Sequence, residues 1–259
     1  MSEPIAQRVA GFFGKLPARG DFIGRHLPKS FLDPWDTWLQ AAIAQSRTQL
    51  AEMWREYYCT SPIWRFALGP GSCGPVGYTG ILMPSVDRVG RYYPLAITIP
   101  LEPASPLFAL PLTAEPWFLQ AEQLALTGLD LDSLDLDDFS RQVAALGTPD
   151  TSLETEIGSA VGNVWYYVWP ESLGLASIAP TLASDLLNFS LARSSLWWTE
   201  GSERIPRCLL VCEGLPPVAG FVALLAGGWQ QWGWIEKQLA GITIAPDVGE
   251  SGTAEESAS

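Results

Sequence analysis

The strongest pattern in the chain begins at Asp33. Apolar residues fall at Trp35, Trp38, Leu39, Ala42, Ile43, Leu50, Met53, Trp54 and Tyr57, while Asp36, Gln40, Arg47 and Arg55 occupy other faces. Intervals of three and four predict an amphipathic helix of about six turns at 3.6 residues each. Asp33 is placed as its N-cap, Pro34 at the first helical position, and Pro62 marks its end. Around this helix the elements are shorter. "VAGFFGKLP" predicts a first strand and a turn, and "IWRFAL" (63–68), "YTGILMPS" and "RYYPLAITIP" predict three more strands, rich in aromatic and β-branched residues. "VDRVG" joins the last two, with Gly90 free to take a positive φ. Arg88 and Arg91 are thereby placed at or beside a hairpin tip.

Further along, "WFLQAEQLALTGL" predicts a helix after a proline-rich crossover. "LDSLDLDDFSRQVAALG" predicts a second, capped by one of its aspartates, as the helix dipole favours acids at an N-terminus. "NVWYYVWP" has strand composition without a firm boundary, and "TLASDLLNFSL" predicts a helix. "SSLWWTEGSERIPRCLLVCEGLP" reads as a hairpin, and "PPVAGFVALLAG" as a helix with Pro at its start and Gly past its end. From about residue 243 the chain is polar, acidic and Gly/Ser-rich, so a disordered tail is expected over 243–259. The fold class expected is α+β, an antiparallel sheet flanked by helices. It would occupy residues 10–242, as a single domain or as two sub-halves, 10–110 and 111–242.

Composition narrows the function. With 259 residues, 47% apolar and 17% charged, the chain can bury a sizeable core. Its twelve Trp are expected to lie mostly in that core. The longest apolar run, "VAGFVALLAGGW", falls short of the roughly 20 residues that a spanning helix needs, and the N-terminus has no secretory h-region. A cytoplasmic protein without membrane insertion is expected. The net charge of −13 is unevenly spread: residues 1–95 carry +3 and the remainder −16. Such a balance argues against nucleic acid as the main ligand, because phosphate backbone would repel the chain. A local basic patch remains compatible with an acidic or phosphorylated protein.

Candidate chemistry is sparse. Gly69, Gly71 and Gly74 match G-x-G-x-x-G, but Pro75 and Gly77 follow and the next element predicted is a strand, so no helix N-terminus awaits a pyrophosphate. Cys59, Cys73, Cys208 and Cys212 contain no CxxC pair, and His26 alone cannot complete a zinc set. Cys208 and Cys212 are expected on one strand face as buried thiols. No nucleophile motif accompanies His26, which reads as a loop or surface histidine. The sequence implies neither an enzyme, nor a cofactor, nor a metal.

Four stretches then stand out together, in order and spacing: "GFFGKLPARGDFIGRHLP", "WDTWLQ", "SPIWRFAL" and "GILMPSVDRVGRYYPL". With "SLWWTEGSE" and "CEGLPPVAGFVALL" they resemble the TagF (ImpM-type) family of bacterial type VI secretion, across most of residues 11–226. The resemblance implies a sheet flanked by helices with a longin-like or profilin-like flavour. It also implies a cytoplasmic regulator that holds the secretion apparatus inactive after translation, through the forkhead-associated (FHA) domain component. In some bacteria this domain is fused to a metal-dependent phosphatase; no such domain is apparent in this sequence.

Lys15, Arg19, Asp21, Arg25, Asp87, Arg88 and Arg91 lie in the two most family-like motifs. If the turns after the first and third strands share one end of the sheet, these residues form one polar surface. It would either dock a partner through forked hydrogen bonds from arginine, or serve only to fix the turns through internal ion pairs. Two other classes stay open: an enzyme with an unrecognised metal or acidic site, and a structural accessory subunit of the secretion apparatus.

Overall fold

The computed structural model describes residues 8–103, 105–130, 134–152 and 193–237, with Ala179, Leu182, Ala183 and Leu186 between them. The tail expected over 243–259 and the "NVWYYVWP" stretch lie outside the described residues. So does most of "TLASDLLNFSL", of which Leu182, Ala183 and Leu186 are helical.

Among the described residues, β1 (Gly11–Gly14), β2 (Ile23–Arg25), β3 (Trp64–Leu68), β4 (Tyr78–Met83), β5 (Leu95–Pro100), β6 (Ser194–Thr199) and β7 (Cys208–Glu213) form one sheet. Its order is β2-β1-β5-β4-β3-β6-β7, with each neighbouring pair antiparallel. The fold is therefore α+β with an antiparallel sheet, as the residue pattern predicts. The strand predicted to begin at Arg91 begins instead at Leu95, because residues 84–94 form a long connection closed by a single bridge between Val86 and Tyr92. The predicted hairpin over residues 194–213 extends the sheet beyond β3, Phe66 facing Trp197 across the junction.

Alternation along the strands separates two cores. Trp64, Phe66 and Leu68 of β3 and Trp197 of β6 point to one face, against α1 (Lys29–Leu50) and α2 (Trp54–Cys59). This side is aromatic. Trp35 lies 5.0 Å from Phe66 and stacks on Trp197 at 6.1 Å, ring centre to ring centre. Two buried Trp N–H groups reach carbonyls of the later chain: Trp38 donates to Pro216 at 2.8 Å and Trp64 to Leu224 at 2.9 Å, so the segment around α6 (Ala223–Ala226) is fastened to the same layer. The opposite face is mainly aliphatic, with Ile81, Leu95, Ile97, Ile99 and Leu196 against α4 (Glu115–Thr127) and α5 (Leu136–Ala144), reached through the short α3 (Leu110–Thr113). Asp135 caps α5 by accepting from the amides of Asp137 and Asp138, so the predicted aspartate cap is present. Each fully buried large side chain in these layers contributes on the order of 2 to 3 kcal/mol.

Arg65 is the exception in an otherwise apolar strand. Only 1% of its side chain is exposed. Its guanidinium donates to Glu122 at 2.6 Å and forks onto both oxygens of Glu115 at 2.6 and 3.2 Å, tying α4 to the sheet.

The long helix differs from its prediction at both ends. It starts at Lys29, after Pro28 in extended conformation, so that Pro34 lies inside it and Asp33 is not its cap. The reason is Phe31, fully buried between Trp35 and Tyr78, whose packing outweighs the donor that Pro34 lacks. At the other end Ala51 turns to φ 46°, ψ −121°, and a 3₁₀ turn (Ala51–Met53) precedes α2. This break re-phases the stripe: Met53 is 47% exposed, whereas Trp54 and Tyr58 enter the core and stack at 4.8 Å. Among the cysteines, Cys73 and Cys212 are buried, Cys208 is half-buried and Cys59 is exposed.

Candidate functional site

The turn after β1 and the connection between β4 and β5 meet at one end of the sheet. β1 ends at Gly14, whose φ of 145° and contact with the backbone of Pro94 exclude a side chain: a Cβ there would lie 2.2 Å from the Pro94 carbonyl oxygen. The chain then turns through Leu16–Arg19, where the Arg19 amide donates to the Leu16 carbonyl at 2.9 Å. In the facing connection Gly90 takes φ 82°, and its amide returns to the Asp87 carbonyl at 3.0 Å. Two hydrogen bonds to main-chain carbonyls join the segments: Arg88 N–H donates to the Arg19 carbonyl at 3.3 Å, and the Ser85 hydroxyl to the Lys15 carbonyl at 2.7 Å. Tyr58 anchors the assembly from α2 by donating to the Ser85 carbonyl at 2.9 Å.

At the centre is Asp87. Its carboxylate accepts from Lys15 Nζ at 2.7 Å, from Arg91 Nε at 2.7 Å, and from the amides of Val89 at 3.0 Å and Arg91 at 2.8 Å. Burial works against a charge here, but the hydrogen bonds from Lys15, Arg91 and Val89 overcome it and hold the carboxyl well below the usual carboxylate range. Lys15 and Asp87 are each only 4% exposed. These two residues, expected on the polar surface, therefore lie beneath it, because each supplies the charge that makes the other's burial tolerable. Arg91 serves both levels. It binds Asp87 and the Gly20 carbonyl, reaches Asp21 at 3.9 Å, and remains half exposed.

Above this pair lies an outer layer. Arg19, Arg25 and Arg88 are exposed and line an open groove of about 940 Å³ together with Phe22 and the first residues of α5. The Arg25 guanidinium donates to the carbonyl of its neighbour Gly24, at 3.0 Å. Phe22, 49% exposed, stacks on Phe13 at 5.8 Å and sets its edge against Tyr93 at 4.7 Å, so an apolar ring stands among the arginines. Across the groove are Asp135 and Asp137. The amides of Asp138 and Asp137 hold the Asp135 carboxyl below its ordinary range, with smaller help from Arg141 and Arg19. The groove thus has one cationic and one anionic wall, suited to a segment that carries both charges. Asp21 is fully exposed at its rim.

Reactive groups are placed elsewhere and are quiet. Burial pushes the Cys73 and Cys212 thiols up to about 12 and Cys208 to about 11, so all three are neutral near pH 7. His26 sits exposed at φ 59°, its Nε2 3.3 Å from the Ser140 hydroxyl, in keeping with a surface histidine. Among the described residues no group of three or more His, Cys, Asp or Glu is arranged to hold a metal, and no helix is long and apolar enough to cross a membrane.

Sequence reasoning missed Arg65 and the Asp36 carboxylate that accepts from Tyr93 at 2.7 Å. A signal existed for the first. An arginine in the middle of "IWRFAL" needs carboxylates, and Glu115 and Glu122, seven apart, share a helix face.

The sequence profile described as "TagF N-terminal domain, Type VI secretion system-associated" matches residues 11–146, more than half of the chain. These residues carry β1 to β5 and α1 to α5, and therefore both segments of the site. The crystal structure of PA0076 from Pseudomonas aeruginosa PAO1 is similar to the whole: TM-score 0.76, 36% identity, covering 90% of this chain and 100% of that one. No curated protein matches the chain. With its two most family-like turns joined at one end of the sheet, the chain belongs to the TagF family and is associated with type VI secretion.

Proposed function

We propose that this protein is a cytoplasmic repressor of type VI secretion that acts after translation by binding the FHA-domain component, and that it is not an enzyme. The observation carrying this reading is the outer layer of the site: a backbone hydrogen bond between the two motifs holds Arg19 and Arg88, and the pairing of β2 with β1 holds Arg25, yet their guanidinium groups have no carboxylate partner within 4 Å among the described residues. An arginine held in place with its fork unspent is suited to pairing with carboxylates of another protein. The buried acid beneath supports a binding role, since a carboxylate as firmly ionised as Asp87 is a poor proton donor or acceptor near neutral pH.

The test is calorimetric titration of the purified protein with the FHA-domain component from the same secretion cluster. Saturable binding is expected, lost on Arg88→Glu without a fall in thermal stability. Absence of binding at tens of micromolar would overturn direct capture of that partner.

A further inference from the structure

The break between α1 and α2 builds a second groove, of about 640 Å³, on the far side of the Arg88–Arg91 turn. Arg47 comes from the last turn of α1, Arg55 from α2 and Arg91 from the β4–β5 connection. Trp54 and Tyr92 form the wall between them. Glu52 is the one acid in the lining and Arg91 is already paired with Asp87, so Arg47 and Arg55 leave the groove an excess of one positive charge in a chain whose net charge is −13.

Three features separate this groove from an ordinary solvated helix face. The Arg47 guanidinium lies 4.3 Å from the Trp54 ring centre and 5.9 Å from that of Tyr92. Stacking of this kind occupies the faces of the cation and leaves its in-plane N–H donors available. Arg55 is exposed and has no carboxylate within 4 Å among the described residues. Finally, the groove exists because Ala51 adopts φ 46°, ψ −121°, a conformation that costs a residue with a Cβ on the order of 1 to 3 kcal/mol. Without that turn Arg47 and Arg55, eight residues apart on one helix, would stand about two turns apart instead of lining a common hollow.

We infer that this second groove binds an acidic segment of a protein partner, its carboxylates pairing with Arg47 and Arg55 against the Trp54–Tyr92 wall. Charge complementarity selects the occupant. Bulk repulsion from a −13 chain is screened beyond about 8 Å at physiological salt, so short-range pairing in the groove decides. A nucleic acid, by contrast, would lay many phosphates along the acidic remainder of the surface. The inference goes beyond capture of the FHA-domain component, and its probe does not involve that protein.

The test uses the full chain and a dye-labelled hexaglutamate peptide, followed by fluorescence anisotropy at 50 and 150 mM salt. Binding is expected to saturate, and Arg47→Gln and Arg55→Gln are each expected to weaken it about tenfold. Arg141→Gln on α5, whose native side chain is exposed and paired with Asp138, should leave it unchanged. Thermal melts show that each variant is folded. Three results would overturn the inference: no binding by the unaltered protein; equal weakening by Arg141→Gln; or binding that depends on Arg19 and Arg25 but not on Arg47 and Arg55. Saturable binding of inorganic phosphate with the same arginine dependence, in the absence of peptide binding, would also overturn it, by reassigning the groove to small anions.

Discussion

Lys15 and Arg88 come from the two motifs that meet at one end of the sheet, and they have opposite fates. Lys15 is 4% exposed and locked to Asp87 at 2.7 Å; Arg88 is exposed and engages its neighbours through its backbone. Both are cations in turns. What separates them is the supply of buried carboxylate. Asp87, the acid buried inside the junction, is consumed by Lys15 and Arg91, and Arg19, Arg25 and Arg88 beyond them are exposed. Arg65 obeys a related rule on the aliphatic face of the sheet, where its buried guanidinium is met by the partly buried Glu122 and the half-exposed Glu115. A buried charge reports a fold requirement, and an unspent one at the same junction is available for a partner.

The largest effect that would break this comparison is loss of Asp87. Asp87→Asn keeps the shape of the acceptor but leaves Lys15 as an uncompensated buried charge, and about 3 to 5 kcal/mol of stability should disappear. Urea denaturation measures it. The double variant Lys15→Met/Asp87→Asn should recover part of that loss, because it removes the stranded charge as well. A cost below about 1 kcal/mol for Asp87→Asn would mean that Lys15 reaches solvent easily and belongs with the outer arginines.

Acid sharpens the same point. The Asp87 carboxyl is depressed in the folded state, so its contribution is fully present above the ordinary carboxylate value of about 4 and is lost as pH falls toward the folded value. The stability gap between the native protein and Asp87→Asn should therefore be constant from about pH 5 upward and should narrow progressively below about pH 4. A gap that stays constant down to pH 2 would show that charge is not what Asp87 contributes.

Strands β1, β3, β4 and β5, the hairpin of β6 and β7, and α5 with its aspartate cap were legible because each is specified locally, by period, turn residues or a capping side chain, whereas the three-residue β2 was not predicted. The ends of α1 were not. Asp33-Pro34 is a strong local start signal, and it is overridden by Phe31, whose partners Trp35 and Tyr78 include one from a distant strand. The break at Ala51 leaves no mark in the residue pattern at all, since alanine is the best helix former. It is imposed by the need to seat Tyr58 beneath Ser85, a contact across 27 positions. The candidate site was half legible. The motifs located both segments, but which of seven charged residues would be buried depended on a pairing across 72 positions, Lys15 with Asp87.

Ala51 offers a test of smaller size and distinctive sign. Within a regular helix, alanine to glycine costs about 1 kcal/mol. At φ 46° the substitution relieves a Cβ from a left-handed backbone, so Ala51→Gly should be neutral or should stabilise the protein by about 0.5 to 1 kcal/mol in urea denaturation. A loss of about 1 kcal/mol would indicate that α1 runs unbroken into α2, and the groove between Arg47 and Arg55 would lose its structural basis.

The smallest expected change in stability is at Arg88. Its guanidinium makes no ion pair among the described residues, and its amide, which holds the Arg19 carbonyl, survives any substitution but proline. Arg88→Glu should therefore shift stability by no more than about 0.5 kcal/mol, one position from a residue whose loss costs several times that. The pairing of a near-silent stability change with lost binding to the FHA-domain component distinguishes a surface built for a partner from turns that only hold themselves together. If Arg88→Glu instead unfolds the protein as Asp87→Asn does, the outer layer is as structural as the inner one, and the docking surface must be sought elsewhere on the molecule.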